Sequence, residues 1–282
     1  MTTPLPPITG INNIDDVINA IQGIVDWSIA NQSRLGYFAA LYKRITLAIR
    51  KAIGDGAFQD GPRMERLDVV FASRYFAALN GWFHPGAFPP PSHCWRVAFE
   101  GASHEEPIIV QHMLAGVNAH IDLDLGIAAS EIAPGSQIES LHADFDTVNA
   151  VLASQVRGVL DQIDSLSPVL ADLYDVLMQH EIDLIDEALI VFRDGAWRFA
   201  TLLACEPSIM HPATIMVKDL EVAKLGTLIL YPPPILAAIV AVIASKESRD
   251  VVHNIEVLDR IASTPAPISY TMGATATTTA NN

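Results

Sequence analysis

The stretch from Ser103 to Ile127, SHEEPIIVQHMLAGVNAHIDLDLGI, constrains the fold more than any other part of the chain, because it is helical in pattern and apolar nearly all round. At about 100° per residue, Val110, Leu114, Val117, Ile121 and Leu125 fall on one broad face. Met113, Ala115, Gly116, Ala119, Leu123 and Ile127 cover much of the remaining circumference. A helix with no side to offer water belongs at the centre of a domain. Ser103 and Glu106 have the spacing of a capping box, which predicts a start near His104 and a central helix over 104–129.

The polar exceptions on this helix are costly to bury unless each finds a partner. Gln111, Asn118 and Asp122 lie within roughly 40° of one another. His120 and Asp124 stand one above the other at i and i+4, and His112 lies about 80° round from His120. An imidazole and a carboxylate one turn apart are half of a metal site, or a base with its orienting partner. Structural hydrogen bonding between helices explains the same residues equally well.

The rest of the chain supplies walls for such a bundle. Helical spacing predicts segments over about 14–30, 33–53, 63–79, 94–101 and 141–163, then one or two helices over 167–204, and three more over about 212–224, 235–245 and 250–262. Most of the 18 prolines and 16 glycines separate these segments, as helix-to-helix punctuation does. Arg34, Lys43, Arg44, Arg50 and Lys51 read as a solvated face of the second helix. NGWFHPGAFPPPSH is an aromatic and proline loop, expected to pack over the core or to rim a pocket. GTLILYPPPILAAIVAVIA is the most apolar window, but three consecutive prolines leave it too short to span a bilayer, so it reads as a buried helix.

These segments imply an all-α fold, a single domain of about eight to ten helices over residues 1–262, with a disordered tail over 263–282. A net charge of -15 opposes binding to a phosphate backbone or an anionic membrane surface. Two cysteines exclude a disulfide scaffold and a thiolate zinc finger and fit a reducing compartment. The amino terminus shows no basic and apolar leader pattern, so a cytoplasmic location is expected. G-x-S-x-G, P-loop and dinucleotide-binding glycine patterns are absent from the sequence.

Further carboxylates sit near the central stretch. Glu100, in the CWRVAFEG segment that leads into it, has Arg96 at i−4 as its default partner. Asp144 and Asn149, in LHADFDTVN, either cap the helix they open or face His120 and Asp124 from an antiparallel neighbour.

The runs RVAFEGA, PIIVQHMLAGVNAHIDLDLGIA and DFDTVN resemble an uncharacterised bacterial family of all-helical domains of unknown function, over about residues 60–260. The family pattern is a QH pair, an N-x-H-I-N-x-D-L run and a D-F-x-x-[IV]-N run, matched here by Gln111, His112, Asn118, His120, Asp124, Asp144 and Asn149. The acidic residue after an arginine helix corresponds to Glu100. Asp122 departs from the asparagine usual in that pattern. Arg193, Trp197 and Arg198 resemble the same family's tail region. The resemblance implies the helical fold and carries no activity.

Three functional expectations follow from the residues. The first is a metal-dependent enzyme, hydrolytic or related, acting on a small, largely apolar substrate, with oxygen chemistry at iron compatible with the same ligand types. There His112, His120 and Asp124 would be ligands to zinc, iron or manganese, Glu100 or Asp144 would complete the set or act as base, and Asn118 and Gln111 would orient the ligands. The second is a metal-free lyase, isomerase or cyclase built on a His120–Asp124 dyad. The third is a non-catalytic helical binding domain.

Overall fold

A computed structural model describes residues 3–160, 162–179 and 184–268. The described residues are helical with no strand. In order they form α1 (Ile14–Asn31), α2 (Leu35–Gly54), α3 (Gly61–Phe83), α4 (His93–Gly101) and α5 (Ile109–Val117). A π-helical segment, Asn118–Leu125, follows without a break and continues into α6 (Gly126–Ile132). Then come α7 (Ile138–Leu160), α8 (Pro168–Gln179), α9 (Leu184–Cys205), α10 (His211–Leu230), α11 (Pro234–Ala244) and α12 (Val251–Ala262). These segments outnumber the eight to ten expected, partly because the central helix is divided by its π turns.

The central rod is buried as its composition demands, with every residue from Ala115 to Ser130 inside the protein. Leu114 is the apolar residue that breaks the pattern and reaches the surface. The rod starts at Ile109, later than the capping-box spacing predicted. The residue before a proline is driven out of the α region, so Glu106 cannot carry a helix into Pro107. Ser103 to Glu106 is exposed chain, and the first turn is closed instead by Gln111, whose Oε1 accepts from the Ile108 N–H at 3.0 Å.

The π segment has no counterpart in the sequence-based reading, which ran a regular helix throughout. Turns of this kind are rare, and they gather at functional sites. Glycines bracket the segment at two close approaches. A Cβ on Gly116 would meet the Phe38 ring at 2.4 Å, and one on Gly126 would meet Phe199 at 2.6 Å.

Around the rod, α2 is the second buried axis, packed against α1, α3, α5, α7 and α12. Its cations correct the expectation of a solvated face, since Lys43 and Arg44 are buried. Lys43 Nζ donates to Asp259 at 2.6 Å and to Gln22 at 2.5 Å, while Arg44 donates to the carbonyls of Ile261 and Thr264. A buried cation needs this kind of satisfaction, and here it fastens α2 to the C-terminal turn of α12. The start of the expected tail is likewise held, with Ala266 exchanging two hydrogen bonds with Gln155 of α7. Residues 269–282 of that tail lie outside the described residues.

The most apolar window also departs from expectation. No single helix among the described residues is long and apolar enough to cross a membrane. Yet α11 is not a buried helix, for Ile243 is its one buried residue, and Ile235, Leu236, Ile239 and Val242 are exposed. Apolar residues at every position leave a helix with no polar face to distinguish outside from inside, so composition alone misplaces it.

Candidate active site

The polar residues of the rod separate into two sets with different destinations. Gln111, Asn118 and Asp122 all face α10, which runs antiparallel alongside. Gln111 Nε2 donates to the carbonyls of Ile229 and Leu230 at the end of α10, at 2.6 and 3.3 Å. Asn118 Nδ2 donates to the Val222 carbonyl at 2.9 Å. Asp122 lies toward Lys218 of α10 and Gly195 of α9, and burial raises its pKa to about 6. These groups fasten helices together, and Asn118 and Gln111 orient no other candidate.

His120 and Asp124 turn the other way, into the space between the rod, α2, α3 and α4. Asp124 Oδ2 accepts from the Trp95 indole N–H at 2.7 Å and lies 3.4 Å from His120 Nδ1. Its Oδ1 accepts from Arg74 Nε at 3.0 Å, and Arg74 also approaches Glu131 at 3.8 Å. The His120 ring lies flat on Phe71 with centroids 3.6 Å apart and meets Tyr42 edge-on at 4.6 Å. With Nδ1 directed at Asp124, the other nitrogen, Nε2, is buried and has no hydrogen-bond partner among the described residues. Burial lowers the His120 pKa, against the pull of Asp124 in the opposite direction.

His120 also lines a partly enclosed cavity of about 60 Å³, walled mainly by apolar side chains of α2, α3, α7 and the rod. Three more polar groups line it: Tyr42, Asp68 and Arg193. Each is buried and, among the described residues, each has a polar atom without a well-formed hydrogen bond: the hydroxyl of Tyr42, which has Thr46 nearby, Oδ2 of Asp68, and Nε and Nη1 of Arg193. Burial, reinforced by Glu65, raises the Asp68 pKa to about 7. Buried polar groups are ordinarily satisfied; other buried atoms also lack partners, Asn118 Oδ1 and Asn254 Oδ1 among them, but here four such groups line one cavity.

On another side of the dyad, Arg74, Trp95 and Asp124 line an open groove of about 670 Å³. Phe88, Pro89, Pro90 and Pro91 form part of its wall, which places the aromatic and proline loop at a rim. The dyad therefore stands between an inner cavity and an outer groove.

The remaining candidates are elsewhere. His112 rests against Tyr37, with ring centroids 5.8 Å apart, and lines a separate small cavity with Arg34 and Phe38. Burial, then Arg34, lowers its pKa to about 4. Glu100 is exposed. Asp144 accepts from the N–H groups of Gln59 and Asp60 at 2.6 and 3.1 Å and from Arg63 at 2.9 Å, tying α7 to the start of α3. The Asn149 side chain lies outside the described residues. Among the described residues, no three or more His, Cys, Asp or Glu groups are placed to hold a metal ion together. Among the described candidate ligands and bases, His120 and Asp124 are thus the pair that meets.

Sequence reasoning passed over Asp68, Tyr42 and Arg193 as cavity residues. Their signal was the cost of charge inside a helical core stripe, as with Asp68 between Leu67 and Val69 in RLDVVF. No curated protein and no solved structure matches the chain. A family model matches residues 14–232, and on that match the chain belongs to the family of unknown function DUF5995.

Proposed function

We propose that the protein is an enzyme that moves a proton on a small, largely apolar substrate held in the inner cavity, in the class of a metal-free isomerase or lyase. The observation that carries this reading is the buried, unpartnered Nε2 of His120 beside a cavity, on a ring whose other nitrogen faces Asp124. In that tautomer Nε2 holds a lone pair, and a lowered pKa keeps the imidazole neutral at physiological pH, ready to accept a proton. Asp68, with a pKa raised to about 7, retains a proton that it can return to the substrate. Two titratable groups whose environments displace them in opposite directions make a base and an acid in one site.

A proton shift then balances within the cavity. His120 removes a proton from a substrate C–H, electrons move along the adjoining π system, and Asp68 protonates the far carbon. Imidazolium and carboxylate are left, and proton exchange with solvent resets both. Asp124, tethered by Trp95 and Arg74, orients His120 and stabilises its charged form.

Metal-dependent hydrolysis is the less supported reading, because both oxygens of Asp124 accept from protein donors and Arg74 places a cation 3.0 Å from one of them. A metal ion there would have to displace that guanidinium. The test is proton exchange in D2O over a panel of small alkenes and carbonyl compounds, followed by NMR. Loss of a substrate C–H signal with wild-type protein and none with His120→Gln supports the proposal. Equal behaviour of the two proteins across the panel overturns it.

A further inference from the structure

Arg193 is the feature of the cavity that the proton shift does not use. It comes from α9, is buried, and sits with its guanidinium carbon 4.7 Å above the Phe145 ring. One terminal nitrogen, Nη2, donates to the Phe145 carbonyl, while Nε and Nη1 have no partner among the described residues. No acid forms an ion pair with it among the described residues; Asp146 and Asp194 act on it electrostatically from exposed positions. A desolvated guanidinium with two idle donors is costly unless an anion joins it.

The charge layout of the cavity is therefore polar at two places. Burial, then the charge of Asp68, raises the pKa of Tyr42, and Tyr42 touches His120, so these three form one group. Arg193 with Phe145 forms the other, and neither Asp68 nor His120 is perturbed by Arg193. The walls of Ile45, Ile49 and Leu152 contribute apolar surface.

We infer that the substrate is a small apolar carboxylate, whose anionic end takes one of the free Arg193 donors, Nε–H or Nη1–H, while its hydrocarbon part lies along the cavity toward His120. Nη2 carries two hydrogens and stands between Nε and Nη1, so the one not given to Phe145 forms, with its neighbouring free donor, an edge that matches a carboxylate in two parallel hydrogen bonds. Burial drops the Arg193 pKa only to about 9, so the cation persists at neutral pH. The cavity, of about 60 Å³, suits a short-chain carboxylate rather than a long one. This inference rests on the cavity being the reaction site, and it adds the anchor and the substrate class.

The experiment is calorimetric titration of the full chain near pH 7.5 with three matched probes: pentanoate, 1-pentanol and pentylamine. Wild type is expected to bind pentanoate roughly tenfold or more tightly than the alcohol, as a charge-assisted pair requires, and pentylamine least. The preference should weaken in Arg193→Lys, which keeps the charge but not the fork, and vanish in Arg193→Met. Pentanol binding as tightly as pentanoate in wild type, or no pentanoate binding, overturns the inference without any variant. His120→Gln separates the two ideas: it should abolish deuterium exchange yet bind pentanoate like wild type. Exchange by a wild type that shows no carboxylate preference would leave the proton chemistry standing and remove the anion anchor.

Discussion

The indole N–H of Trp95 donates to Asp124 Oδ2 across 2.7 Å, joining α4 to the π segment between residues 29 apart in sequence. Both residues are only 2% exposed although they edge the outer groove, so water is a poor substitute for either partner. Trp95→Phe keeps most of the ring stacking on Tyr75 and Phe99 while removing the donor. The expected loss is about 1–3 kcal/mol of stability, the cost of an orphaned buried acceptor plus a small cavity. Urea unfolding checks it; a midpoint within error of wild type would show that the bond contributes nothing.

Arg74 sits on the other oxygen of the same carboxylate and opposes protonation of His120 by like charge. Arg74→Met should therefore raise the His120 pKa toward its ordinary value. The measurement is NMR titration of the His120 ring in wild type and variant. A shift downward, or none, would mean that Arg74 acts on the dyad only by positioning Asp124.

Asp68 makes a pH-dependent contribution whose sign is opposite to that of an ion-paired acid. Its pKa rises from 3.8 in the unfolded chain to about 7 in the folded one, so the native state binds the extra proton between those values. Stability from this group is full below about pH 4 and is lost as the pH climbs to 7. The shift corresponds to up to about 4 kcal/mol. Asp68→Asn removes the ionisation, so its stability relative to wild type should climb over that window and level off above it. His112, whose pKa falls to about 4, produces a loss on the acid side below 6.5 in both proteins and cancels in the difference. Thermal unfolding at pH 4.5, 6 and 8 gives the comparison. A constant difference between the two proteins would place Asp68 in water.

The rod and the His120–Asp124 pair were legible because both depend on spacing within one helix. The i, i+4 relation survives even in the wider π turns. Arg74, Trp95, Asp68 and Arg193 reach the site from α3, α4 and α9, and no local pattern encodes which helix faces which. Lys43 and Arg44 misled for a related reason: a basic run reads as solvent-facing until the acceptors supplied by α12 and the chain after it are in place. Asp144 had two outcomes from sequence, cap or catalyst, and it is bound to the N–H groups of another helix's entrance.

Gly116 gives a prediction about the cavity wall itself. Phe38, which an added Cβ on Gly116 would strike at 2.4 Å, is also a wall residue of the cavity and packs edge-on to His120 at 5.9 Å. Gly116→Ala must push that ring aside, for helical backbone on both sides cannot give way. Overpacking of this kind costs about 1–3 kcal/mol, and the displaced ring should narrow the cavity and weaken pentanoate binding. Unchanged stability and unchanged binding together would show that Phe38 has room to move elsewhere.

The rate of substrate proton exchange should depend on pH as a bell whose two limbs belong to different residues. The acid limb reports protonation of His120 and must lie below 6.5, since burial lowers that pKa. The alkaline limb reports ionisation of Asp68 and should fall near 7. Asp68→Asn can no longer lose a proton there, so its residual exchange should be slower, by about 10²-fold or more for a lost general acid, and flat on the alkaline side. Asp124→Asn should move the acid limb further down, because the carboxylate that favours the imidazolium is gone. An alkaline limb that survives unchanged in Asp68→Asn would assign it to another group and take Asp68 out of the reaction, while leaving His120 as the base.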